Sequence, residues 1–158
     1  MQELVKEIYT ESIQAQIAAG EALPSAIESA ALTIVQSLIN GNKVLCCGGS
    51  NNYMLASHFA NLLVNFYETE RPCLPAIALS NELTHLSSYA SPAMNDSFSR
   101  QVRAYGQPGD LLVVITVTGN EKEIISAVEA ALTKDMQVIV LSGNDGGELA
   151  GLLGPNDV

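Results

Sequence analysis

Basic residues are scarce. Seven Lys+Arg stand against seventeen Asp+Glu in 158 residues, a formal charge of −10. A surface of that sign repels phosphate backbones, which excludes a nonspecific grip on nucleic acid. No apolar run approaches the roughly 20 residues of a membrane-spanning helix. The opening Met1-Gln2-Glu3-Leu4-Val5-Lys6 has no basic stretch ahead of an apolar one, so a secretory signal is not read and a cytoplasmic location is expected. Cysteines number only three. Cys46 and Cys47 are adjacent, and neighbours in a strand point to opposite faces, which disfavours a disulfide or a shared metal. Cys73 stands alone and no Cys-x-x-Cys spacing occurs, so buried free thiols are expected and a zinc site has little support. What the chain does have is apolar mass: 47% apolar residues against 15% charged ones can bury a sizeable core and exclude wholesale disorder. The length fits one domain.

The first forty residues carry helical periodicity. Val5, Ile8, Tyr9, Ile13 and Ile17 form one stripe, with Glu3, Glu7 and Glu11 on other faces. Ile27, Ala30, Ala31, Ile34, Val35, Leu38 and Ile39 form a second, with Pro24 suited to its first turn and Gly41 to its end. One of these stripes is expected to pack against another subunit. From residue 43 short apolar runs take over: Lys43–Gly48, Leu74–Leu79, Leu111–Thr116 and Gln137–Ser142. Helical patterns separate them, from about Tyr53 to Tyr67 and from Glu121 to Lys134, while Glu82 to Tyr105 reads as short helices around a loop. This alternation predicts a three-layer α/β/α fold, a doubly wound parallel sheet preceded by two N-terminal helices. Gly146–Leu153 reads as a short helix stopped by Gly154-Pro155, and Asn156-Asp157-Val158 as the entry to a further strand. The expectation is one domain over residues 1–158, a helical pair (1–42) and a parallel core (43–158) that lacks its last strand and helix. A sheet cut there would expose an edge and favour abnormal assembly.

In such a sheet ligands bind beyond the carboxyl ends of the strands. Two loops qualify: Gly48-Gly49-Ser50-Asn51-Asn52 and Thr116-Val117-Thr118-Gly119-Asn120. Glycines, hydroxyls and a helix start can cradle a phosphate with backbone N–H groups, which makes Ser50, Asn51, Asn52, Thr116, Thr118 and Asn120 the candidate ligand-binding residues. Neither loop is a Walker A loop or a dinucleotide fingerprint. The competing reading is that these residues only turn the chain and cap helices, with Asn120 and Glu123 forming a capping box. Glu121, in the first turn, would oppose a docked phosphate. Of the two histidines, His58 lies on the helix after the first loop and His85 in the irregular middle, and neither has a readable catalytic partner. Position 62, one turn after His58, is leucine.

Taken together, the two N-terminal helices, Leu45-Cys46-Cys47-Gly48, His58-Phe59-Ala60, Glu70-Arg71-Pro72 with Leu74–Leu79, Gly119-Asn120 and Gly146–Leu152 resemble sugar isomerase (SIS) domains of the phosphoheptose isomerase group. Thr10–Gln14, Glu21–Pro24, Asn40–Lys43 and Asp145–Pro155 are most similar to the members of that group that associate with the bacterial replication initiator. The resemblance implies a flavodoxin-like or Rossmann-like SIS fold. In the isomerases, the histidine matching His58 works with a glutamate where Leu62 stands, and leucine neither accepts a proton nor binds a metal. Ser50, Asn51 and Asn52 depart from the usual first phosphate loop, as do Val117 and Glu121 from the second. A further catalytic and metal-binding histidine of the isomerases belongs beyond Val158. Loss of catalysis is the implication, with His58 a remnant, the loops vestigial, and no metal or cofactor.

The initiator-associating members are implied to be homotetrameric adaptors that bind several copies of DnaA and promote its assembly at the origin, leaving the DNA to their partner. The acidic excess is compatible with that role: residues 1–42 carry 5 acids against 1 base, and residues 111–158 carry 7 against 2. Two alternatives remain at the sequence level. One is a ketoheptose-phosphate isomerase acting through an enediol, the other a sugar-phosphate sensor without turnover.

Overall fold

The computed structural model describes residues 1–49, 52–80, 96–143 and 145–158. They fall into two compact units, Met1–Thr33 and Ile34–Val158. Helix α1 (Gln2–Ala22) lies in the first unit, and α2 (Pro24–Ile39) starts there and continues into the second. Both helices are where the apolar stripes put them. Pro24 opens α2 because the first turn has no intrahelical use for the N–H that proline lacks. The stripe of α1 is not covered: Val5, Ile8, Tyr9, Ile13 and Ile17 are exposed, and the helix buries no side chain.

The second unit holds strands β1 (Val44–Gly48), β2 (Ala76–Ala78), β3 (Leu111–Ile115) and β4 (Gln137–Leu141). They alternate with α3 (Tyr53–Val64), α4 (Ser97–Tyr105), α5 (Lys122–Thr133) and the short α6 (Gly147–Ala150). All neighbouring strands are parallel, in the order β2-β1-β3-β4. The chain moves from β1 to one side and then to the other, so right-handed crossovers put α3 and α5 on opposite faces. The three-layer α/β expectation holds. Leu45, Cys47, Leu112, Val114 and Val138 share one face and close on Phe98 and Val102 of α4 and Ile124 and Val128 of α5. Every residue of β1 is buried, which is why it reads as an unbroken apolar run.

Three boundaries differ from expectation, each for a visible reason. Strand β2 is shorter than Leu74–Leu79. Pro75 has no N–H to donate and only accepts, from the Val44 N–H at 2.9 Å. Helix α3 ends at Val64 because the Arg71 guanidinium donates to the carbonyls of Leu62 (2.6 Å) and Leu63 (2.9 Å), which another turn would have used. Helix α5 starts one residue late, at Lys122. Where the entry to a further strand is expected, Val158 alone bonds backbone to backbone along β4, its N–H donating to the Val138 carbonyl (3.1 Å) and its carbonyl accepting from Val140 N–H (2.8 Å). Of the irregular stretch 82–105, residues 96–105 are described and hold α4, and the rest lies outside the described residues.

Cys46 and Cys47 are buried free thiols in β1, as expected, whereas Cys73 is exposed. Burial pushes the Cys46 thiol up to about 12. Cys47 is driven higher still, by burial first and then by the charges of Cys46 and Glu123. Thiolate is the reactive form. Mass spectrometry after iodoacetamide treatment of the native protein should therefore find one adduct, at Cys73, and three after unfolding. Comparable native labelling of Cys46 would contradict the buried strand.

Candidate functional site

The crevice of an open parallel sheet lies where the strand order reverses. Here that place is between β1 and β3, whose ends meet with Gly48 paired to Ile115. Both candidate loops leave the sheet at this point. A Cβ added to Gly48 would sit 2.5 Å from the Asn52 carbonyl oxygen, so the first loop folds directly over the end of β1 and leaves no room for a side chain. Asn52 takes the N-cap position of α3, and its N–H donates to the Gly49 carbonyl at 2.9 Å. Its side chain makes no capping bond, so the helix-capping alternative does not apply to it. Ser50 and Asn51, and His85 further on, lie outside the described residues. On its other side the loop meets α5. A Cβ on Gly49 would lie 3.3 Å from Glu123 Oε1 and 3.6 Å from Glu121 Cγ.

The second loop is tied up by its own hydrogen bonds. The buried Thr116 hydroxyl donates to Glu121 Oε2 and accepts from the Gly119 N–H at 3.0 Å. Thr118 Oγ1 accepts from the Asn120 N–H at 3.3 Å. Asn120 does not cap α5 with Glu123, as the sequence pattern had it: Glu121, in extended conformation, holds the N-cap position. The Asn120 side chain turns the other way. Its carbonyl oxygen accepts from Glu148 N–H at 2.9 Å and its amide donates to the Thr118 carbonyl at 3.3 Å, so it joins the start of α6 to the loop. Gly119 accepts from Leu149 N–H at 3.2 Å, and its φ of +73° brings it against the Gly146 carbonyl.

The Glu121 carboxylate receives more than the Thr116 hydroxyl. Partial burial pushes its pKa up, but hydrogen bonds from Thr116 and from the N–H groups of Glu121 itself, Val117 and Thr118 outweigh burial and hold it below the usual glutamate range. Sequence reasoning gave Glu121 a repulsive role through charge alone. It missed that this carboxylate converges with the loop's donors, because a side chain's path back over its own helix start leaves no periodic trace.

His58 is on the exposed side of α3. Leu62, one turn on, is half-buried, and its backbone carbonyl is held by Arg71. The helix therefore brings one ionisable group to this face where a proton-transfer pair would need two. Among the described residues no three His, Cys, Asp or Glu side chains gather as a metal cage.

Comparison with known proteins agrees with this geometry. The SIS domain family model matches residues 8–143. The DnaA initiator-associating protein DiaA of Escherichia coli is 55% identical over 159 aligned residues, which span 100% of this chain and 81% of that protein. The protein of the same name from Shigella boydii matches equally well. Among solved structures, a phosphoheptose isomerase from Francisella tularensis superposes with a TM-score of 0.91 at 39% identity, covering 99% of this chain and 82% of that one. Phosphoheptose isomerase GmhA from Neisseria gonorrhoeae gives 0.88 at 38%, covering 99% and 83%.

Proposed function

The chain belongs to the SIS domain family, and from that premise we propose that it is a non-catalytic adaptor that binds the replication initiator DnaA and promotes its assembly at the chromosomal origin. The carrying observation is the 55% identity with a DnaA initiator-associating protein along the whole of this chain. The identity with the isomerases, 39% and 38%, supports the shared fold and extends less readily to their reaction. Leu62 supports the absence of turnover, since His58 has no carboxylate one turn away to share a proton with. The uncovered stripe of α1 supports self-association, proposed here as a homotetramer that presents several initiator sites at once. The net charge of −10 supports a protein partner, with the initiator contacting DNA and both working in the cytoplasm.

A pull-down with purified DnaA is the test. Retention of the initiator, with light scattering giving the mass of four chains, is the expected result. A folded protein that retains no DnaA would overturn the adaptor reading. Sedoheptulose 7-phosphate should not be turned over, with or without added zinc, and turnover would overturn the non-catalytic part.

A further inference from the structure

We propose that Glu121 is a built-in anion that occupies the cradle of the second loop, so that the sheet's switch point holds a carboxylate of this chain where a phosphate monoester would otherwise bind. The argument starts from donors. Thr116 has one hydroxyl proton, and it goes to Glu121 Oε2. The Thr116 oxygen is in turn fixed by the Gly119 N–H, which holds the hydroxyl in place beside Glu121. The same surroundings hold the Glu121 carboxyl below the usual glutamate range, as expected of an anion held by the loop's donors. Behind them stands the first turn of α5, a helix of 12 residues whose dipole favours a negative charge at this end. The loop's buried hydroxyl is thus already engaged by an anion of the same chain, and the Gly119 and Asn120 N–H groups by the loop's own threonines.

Tethering makes the competition unequal. Glu121 follows Thr116 by five residues, so its carboxylate is present at a high effective concentration that a free ligand must exceed. A phosphate entering beside it would also meet a like charge at close range, with Glu123 bordering the neighbouring Gly49. The loop keeps the form of a phosphate cradle and is closed to phosphate. This inference is independent of the adaptor reading, because phosphate titration reports on the loop whether or not DnaA binds.

The experiment is calorimetric titration of the full chain with inorganic phosphate and with sedoheptulose 7-phosphate, for the parent and for Glu121→Ser, Glu121→Gln and Glu123→Gln. Glu121→Ser should bind at least about tenfold more tightly than the parent, the scale expected when a tethered competitor is removed. Glu121→Gln should fall between them, and Glu123→Gln should stay within about twofold of the parent. A folded Glu121→Ser that binds no better than the parent would overturn the proposal. So would an equal gain in Glu123→Gln, which would mean general repulsion rather than occupation. Carboxyl carbon NMR of the parent gives a second reading that needs no variant of Glu121. Glu121 should titrate below the usual glutamate range and move up in Thr116→Val, and an ordinary titration in both would equally refute the cradle.

Discussion

Asp110→Ala should lower the unfolding free energy by about 3–5 kcal/mol, the largest loss expected from any single side chain outside the apolar core. Asp110 is 1% exposed, just ahead of β3. Its Oδ1 accepts from the Lys43 N–H at 3.0 Å and its Oδ2 from the Gln107 N–H at 2.8 Å, and it pairs with the Lys43 ammonium. One carboxylate thus holds the entrance to β1, the turn before β3 and a cation. Alanine would leave two backbone donors without acceptors, at about 1–3 kcal/mol each, and a cation without its partner. The Lys43 side chain keeps 23% exposure, so water can recover part of the last loss. Denaturant unfolding of Asp110→Ala, Asp110→Asn and Lys43→Met separates these contributions. Asparagine keeps an acceptor and should cost less than alanine, and Lys43→Met should cost least. A loss below about 1 kcal/mol for Asp110→Ala would show that the strand entrance is held by other contacts.

Gly119→Ala should cost about 2–4 kcal/mol and act locally. A left-handed alanine costs about 1–2 kcal/mol by itself. The added Cβ would also collide with the Gly146 carbonyl, which forces the start of α6 away from the loop. That movement breaks Leu149 N–H to the Gly119 carbonyl and Glu148 N–H to Asn120, at about 1 kcal/mol each. It also loosens the fully buried Leu149. Hydrogen exchange should show the amides of Glu148 and Leu149 losing protection while those of β1 keep theirs. Unchanged protection at both would overturn the docking. The control is Gly20→Ala, in the last turn of α1 with nothing within 4 Å of an added Cβ, where alanine should stabilise by up to about 0.5–1 kcal/mol. Opposite signs for one substitution type would tie the effect to backbone conformation and space.

Much of the framework was legible from residue order because it rests on short-range rules. Strands β1, β3 and β4 were visible as apolar runs since a sheet covered on both faces needs no polar alternation. Helices α1 and α2 were visible from spacing, although spacing could not say that the α1 stripe would stay uncovered. The two loops were placed correctly at the carboxyl ends of β1 and β3, because a doubly wound order predicts where its own crevice lies. Within the loops, residue type misled. Asn120 has the chemistry of a helix cap, and its use depended on whether α6 came within reach to offer the Glu148 N–H.

The sequence by itself determined the elements, the parallel α/β class, the acidic surface and the leucine at position 62, each a property of composition or local spacing. Only the tertiary structure decided what the polar groups do. Asp110 became a clamp because β1 and β3 bring Lys43 beside it, 67 residues away in the chain. Asn120 became a link because α6 folds back 28 residues later, and Glu121 took the Thr116 hydroxyl because its side chain turns back to the loop before it. Hydrogen bonds are directional and short, so residue type limits what a side chain can bond, and only the folded chain sets what lies within about 3 Å of it.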